Sequence, residues 1–216
     1  MNLNLRELMT VDVPAGDVRG LRVERFTVDS TSPGHLREVL RGRGTRPGTY
    51  TRLLAGHRLW MTDTDAERQD HMPAARRIAQ TGTRRVLING LGLGMVLRVA
   101  LAMDHVEHVD VVEIDDRVIE LVGAHYTDPR LTLHHADAYD QARRWPAGSR
   151  WDVVWHDIWP DLCTDNLDGM ARLHRSYGRR AGWQGSWGKT LLEGKARADR
   201  KQDREWARAR AWVASR

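Results

Sequence analysis

The stretch Val86-Leu-Ile-Asn-Gly-Leu-Gly-Leu-Gly-Met95 decides how the whole chain is read. A short aliphatic run suited to a buried strand passes directly into glycines at 90, 92 and 94. An apolar segment at helical spacing, Met95–Met103, follows at once. Strand, glycine turn and helix in immediate succession describe the first unit of a parallel α/β fold. The glycines let the chain turn tightly and bring main-chain amides to a helix N-terminus, where a ligand can approach them.

Reading outward, the same unit repeats. Val109-Asp-Val-Val-Glu-Ile114, Leu131-Thr-Leu133 and Asp152-Val-Val-Trp155 follow at intervals of about 21 to 24 residues, the length of a strand, a helix and two loops. Between them, Arg117–His125 places apolar residues at helical spacing. The expected fold class is α/β, a Rossmann-like parallel sheet with helices on both faces. Upstream, residues 1–64 read as a strand-rich extension. Val11–Val13 and Leu21–Val28 alternate like strands, Thr31–Gly34 mark a turn, and His35–Arg41 read as a short helix before a loop at 42–48. Tyr50–Met61 reads as a strand pair and Ala66–Gln80 as a helix that Gly82 ends. The Rossmann-like core is assigned to 65–180. After residue 165 the rhythm stops: Asn166–Tyr177 reads as a helix, Gly182–Gly188 as a tryptophan-glycine loop, and Leu191–Val213 as a long charged helix. No fifth strand is expected, so the sheet reads as shortened on its C-terminal side. Residues 181–216 then form a tail whose Trp206, Ala209 and Val213 stripe would dock the helix.

Candidate site residues fall at the ends of these strands. A dinucleotide fingerprint would require its third glycine at 95, which is methionine, so a nucleoside without a pyrophosphate is favoured. Asn89, Gly90, Gly92 and Gly94 form the glycine loop. Glu113, with Ile114 beside it, ends the second strand 23 residues after Gly90, where a carboxylate can accept both ribose hydroxyls. Asp137 and Ala138 follow the third strand, where an acid can accept from an adenine amino group; Asp137 can equally cap a helix. Asp157 ends the fourth strand and is the candidate general base. Asp161, Asp165 and Asp168 could bind an amine or enrich a helix N-terminus. His134, His135 and His156 follow no metal-ligand spacing, and no metal is assigned.

Composition narrows the setting. The net charge of +5 rests on arginine, with lysine only at 189, 195 and 201, so basicity is weak support for a nucleic-acid partner. The lone Cys163 excludes an internal disulfide and fits a reducing compartment. No run approaches the ~20 apolar residues of a membrane span, and the N-terminus lacks a cleavable signal pattern, so a cytoplasmic protein is expected.

With those residues in place, 50–160 resemble the spermidine synthase-like branch of the class I S-adenosylmethionine-dependent transferases. Asp65-Ala-Glu67 with His71 resembles the acidic-plus-histidine segment that precedes the core in aminopropyltransferases. The resemblance implies S-adenosyl-L-methionine at the glycine loop, Glu113, Asp137 and Ala138, and a reacting site at Asp157. Where the family carries an aspartate inside the loop, this chain has Leu93, and Asp70 and Met72 replace the residues on either side of the histidine. Losing the loop acid removes charge that would favour decarboxylated S-adenosylmethionine. The expectation is therefore a methyltransferase acting on a small-molecule acceptor. Aminopropyl transfer, a non-catalytic nucleoside-binding module and a nucleic-acid methyltransferase using Arg172, Arg175, Arg179 and Arg180 stay open as alternatives, as does a homo-oligomer.

Overall fold

In the computed structural model, residues 4–29 and 44–214 are described. The turn and short helix expected within 31–41 lie outside them. The elements in chain order are α1 (Leu5–Leu8), β1 (Gly16–Val18), β2 (Leu21–Val28), β3 (Gly48–Ala55), β4 (Arg58–Thr62), α2 (Asp65–Ile78), β5 (Arg85–Asn89) and α3 (Met95–Leu101). They continue as β6 (His108–Glu113), α4 (Asp116–Leu121), β7 (Leu131–His135), α5 (Ala138–Arg144), β8 (Trp151–His156), α6 (Asn166–Tyr177), β9 (Ala181–Ser186) and α7 (Lys189–Ala214).

Two sheets form. β1 to β4 make an antiparallel sheet in sequential order, and β7-β6-β5-β8-β9 make a wholly parallel one. This is the α/β, Rossmann-like architecture. The central strands β5, β6 and β8 are covered on both faces, so aliphatic and aromatic residues fill their middles. Val86, Ile88, Val109, Val111, Val153 and Trp155 face one core, shared with α2 and α3. Leu87, Val112 and Val154 face the other, with Trp145, Leu173 and Tyr177 from the segments around α5 and α6. α2 presents Arg68, His71, Met72, Ala75 and Ile78 inward at three- and four-residue spacing. The chain leaves β5 to build β6 on one side and later β8 on the other, so the strand order reverses at β5 and a crevice opens at the carboxyl ends.

Three expectations need correction. The tryptophan-glycine segment is not a loop: β9 pairs in parallel with β8, Trp151 opposite Ala181 and His156 opposite Ser186, giving a fifth strand. Its sequence, Ala-Gly-Trp-Gln-Gly-Ser, has no β-branched residue. Tertiary context holds it, including the Trp183 ring stacked on Trp155 at 6.3 Å. Val11–Val13 is buried but forms no strand; the Val11 amide instead donates to Asp63 Oδ2 at 2.9 Å. α7 docks through Leu192, whereas Trp206 is 58% exposed, because a 26-residue helix about 39 Å long outruns the sheet edge. Glu193 pairs with Lys189, while Arg197 donates to the Glu193 carbonyl. Among the described residues no helix is long and apolar enough to cross a membrane.

The hairpin β3–β4 covers part of the crevice. Met61 Sδ accepts from the Leu93 amide at 3.2 Å, tying the hairpin to the glycine loop. Asp63, just past β4, is buried and accepts from the amides of Val11 and Thr51 and from Arg68, which joins the N-terminal segment, the first sheet and α2.

Candidate active site

The glycine loop takes its shape from backbone geometry. Gly90 has φ +95°, and a Cβ there would lie 1.9 Å from the Asp157 carbonyl oxygen. The ends of β5 and β8 therefore approach as closely as they do only because residue 90 lacks a side chain. The Asp157 amide donates to the Asn89 carbonyl at 2.7 Å, fixing residue 157 beside the loop.

Glu113 binds the loop from the adjacent strand. Its Oε2 accepts from the Leu91 amide at 2.8 Å, and its Oε1 from the amides of Ile114 and Asp115 at 2.8 and 2.9 Å. The two amides fill Oε1, while Oε2, with one donor, retains lone-pair capacity for a ribose hydroxyl. Asp137 caps α5 through its Oδ1, accepting from Tyr139 at 2.6 Å, as its capping alternative anticipated, and it also lines the crevice.

The crevice encloses about 420 Å³, within the range of small-molecule sites. Gly90, Gly92, Glu113, Ile114, Asp137, Ala138 and Asp157 line it together. Asn89 and Gly94 are not among its walls. The Asn89 side chain is buried against His156 (Nδ2 to Nδ1, 2.8 Å), and Gly94 is the N-cap of α3. Further walls were not foreseen: Trp60 and Met61 from β4, Glu67 from α2, and Trp159 and Trp187. Trp187 belongs to the tryptophan segment already noted, and Glu67 to the acidic segment before the core; neither could be aimed without the fold.

Asp157 is 12% exposed at the crevice floor. Burial, then the neighbouring charges of Glu67, Glu113 and Asp70, push its carboxyl well above the usual range. Burial thus favours its uncharged form, and a cation in the crevice would favour its ionised one. Glu67 accepts from Thr62 Oγ1 at 3.2 Å. Asp161 is not a crevice wall and pairs with Arg58 at 3.2 Å. Asp165 occupies the N-cap position of α6 without a side-chain cap bond, and Asp168 lies in its first turn. The histidines are occupied elsewhere: His134 Nε2 meets Asp110 at 2.8 Å and His135 Nε2 meets the Ile114 carbonyl at 3.1 Å. Arg172 lies over the Tyr139 ring at 4.7 Å and Arg180 donates to the Trp145 carbonyl, so both have partners within the fold.

The donor set suits an adenine nucleoside carrying a positive charge. Apolar and aromatic walls can hold a base, Glu113 Oε2 can accept from a ribose hydroxyl, and Glu67 with Asp157 offers carboxyl groups that a cation would draw into the ionised form. Fold and crevice together define a domain of the class I S-adenosylmethionine-dependent transferase type. The spermine/spermidine synthase domain model matches residues 67–167. The polyamine aminopropyltransferase of Prochlorococcus marinus (strain MIT 9313) is 38% identical over 122 residues, 51% of this chain and 40% of that protein. That of Synechococcus sp. (strain JA-2-3B'a(2-13)) is 33% identical over 120 residues, 49% of this chain and 37% of that protein. The crystal structure of spermidine synthase from Thermotoga maritima superposes with a TM-score of 0.48 at 20% identity, covering 78% of this chain and 53% of that one. The chain thus spans less than half the length of these two curated relatives.

These relatives overturn the expectation of methyl transfer, which rested on Leu93. The physical reason is visible in the loop. Leu93 is 0% exposed and packs into the core beneath the loop. Position 93 therefore does not set the charge of the crevice, whose carboxylates come from α2 and from just past or at the ends of β6, β7 and β8.

Proposed function

We propose that this domain transfers an aminopropyl group from decarboxylated S-adenosylmethionine to the amine of a small aliphatic polyamine. The observation that carries the reading is the convergence of three carboxyl groups, Asp157, Glu67 and Glu113, on one crevice. The matched family and the named activities of the curated relatives support the same reaction.

The chemistry follows from charge. The donor carries a sulfonium and, in place of the carboxylate of S-adenosylmethionine, only a primary ammonium at the end of its side chain. Negative charge around Glu67 and Asp157 favours such a dication and disfavours the extra carboxylate. Glu67 takes the role that a loop acid would have at position 93, receiving the donor ammonium. Glu113 holds the ribose, and Ile114, Asp137 and Ala138 surround the base. The acceptor enters as an ammonium and must lose a proton before its nitrogen can attack. Asp157 receives that proton, and the crevice aligns nitrogen, carbon and sulfur in line.

Incubation with decarboxylated S-adenosylmethionine and putrescine, followed by mass spectrometry, tests the reading. Formation of spermidine, reduced at least ~100-fold in Asp157→Asn, is expected. Methylated acceptor from S-adenosylmethionine, with no aminopropyl product, would contradict it.

A further inference from the structure

Behind Asp157, on the side away from the crevice, lies a polar group that this chemistry leaves unused. His71, on the inner face of α2, is 0% exposed, and neither ring nitrogen has a hydrogen-bond partner. Its Nε2 is 3.7 Å from Asp157 Oδ2, too long for a hydrogen bond and close enough to share one water. A cavity of about 10 Å³ touches both side chains, bounded also by Met61, Gly90, Leu91 and Met95, and its size is near the minimum for a single water. A buried imidazole with two unsatisfied nitrogens is costly as plain core.

The charged groups around the pair come from several elements. Glu67 and Asp70 of α2 and Glu113 at the end of β6 act on Asp157. α3 meets His71 across the cavity through Met95, Val96 and Leu97, while its Arg98 turns away to the Leu8 carbonyl and Asp12. From β8, Trp155 packs edge-on against the ring at 6.0 Å, and His156 bonds Asn89 on the opposite side of the strand.

We propose that His71 is a positioning residue that exchanges a proton with Asp157 through the small cavity between them, freeing the carboxylate when cations fill the crevice. The proposal rests on the aminopropyl-transfer reading. Burial drives the His71 ring down to about 4 and Asp157 upward, so the resting pair carries its proton on the carboxyl. Entry of the sulfonium and the ammonium favours the anion, and the proton passes from Asp157 Oδ2 through the water to His71 Nε2. Asp157 then accepts one proton from the acceptor ammonium. The amine lone pair forms the new N–C bond, and the C–S bond breaks with its electron pair going to sulfur. Sulfur becomes a neutral thioether and the new nitrogen a secondary ammonium. One proton leaves to solvent with the products, which restores the resting pair.

Two measurements test this. In the ligand-free protein, the imidazole ¹⁵N signals of His71 and the carboxyl ¹³C signal of Asp157 are followed against pH. A shared inflection is expected, and it should vanish from His71 in Asp157→Asn. Independent inflections would overturn the pairing whatever the crevice binds. In turnover, His71→Leu leaves Asp157 to release its proton to bulk solvent, so the rising limb of kcat against pH moves up by at least about one unit. Donor KM stays within about twofold, and His71→Asn, which can hydrogen-bond but not take the proton, does not restore the limb. An unmoved limb in a variant with unchanged Tm would overturn the proposal. A shared inflection in a protein without transfer activity would support the pair and count against the functional reading.

Discussion

Substituting Gly90 by alanine tests how the two strand ends are held together. The new Cβ would stand 1.9 Å from the Asp157 carbonyl oxygen and 2.7 Å from its carbon, both backbone atoms that cannot rotate away. At φ +95° an L residue costs about 1–2 kcal/mol before any contact is counted. Overpacking of this kind adds about 1–3 kcal/mol. The sum, about 2–5 kcal/mol, is a large fraction of the stability of a typical domain and lowers Tm by roughly 5–15 °C. Gly92→Ala provides the control. Its φ is +52°, and its new Cβ meets only Met61 Sδ at 2.5 Å, the end of a flexible side chain, so about 1–2 kcal/mol is expected. Urea unfolding followed by tryptophan fluorescence reads both variants. The relief of the Gly90 clash also pushes Asp157 away from the loop, so donor affinity falls further in Gly90→Ala than its stability loss explains. Equal destabilisation by the two substitutions, or a Gly90→Ala protein within about 1 kcal/mol of wild type, would refute the reasoning.

Two stability predictions accompany it. Asp63→Ala leaves Arg68 buried without its carboxylate and orphans the Thr51 and Val11 amides, so a loss of about 3–5 kcal/mol is expected in urea unfolding; a loss under about 1 kcal/mol would show that the N-terminal segment is not anchored there. The Arg46 hydrogen bond, working against burial, holds the Asp65 carboxyl down to about 2 from its ordinary 3.8. A folded value below the unfolded one adds stability that is full well above pH 4 and disappears as pH falls through about 2. Arg46 is 78% exposed, so solvent screens the pair and keeps its contribution small, and an Asp65→Asn protein should lose less stability than wild type between pH 5 and 2.

The legible part of the chain was the part whose local pattern and tertiary role agree. Val86–Ile88, Val109–Glu113 and Asp152–Trp155 sit in strands covered on both faces, so aliphatic runs mark them, and the glycines at 90 and 92 follow directly from a strand that must turn. β9 was hidden because its glycines and tryptophans carry no strand signal, and only its pairing with β8 and the Trp155–Trp183 stack make it a strand. The acids of the strand ends were legible, since Glu113, Asp137 and Asp157 are placed by the βα rhythm. Glu67 was visible as part of an acidic segment, yet that it enters the crevice depends on how α2 packs across the sheet. Leu93 misled for the converse reason: its position in the motif is conspicuous, while its side chain points into the core. The His71–Asp157 pair joins residues 86 positions apart, and no spacing along the chain announces it.

The central claim is that the carboxylates of this crevice select a donor with a free ammonium and no carboxylate. Calorimetric titration of wild type and Glu67→Gln with decarboxylated S-adenosylmethionine and with S-adenosylmethionine tests it most directly. Tighter binding of the decarboxylated donor to wild type is expected, with a preference reduced about 10- to 100-fold in Glu67→Gln, the worth of one hydrogen bond to a charged group. Preference of wild type for S-adenosylmethionine, or a preference that Glu67→Gln leaves unchanged, would contradict it.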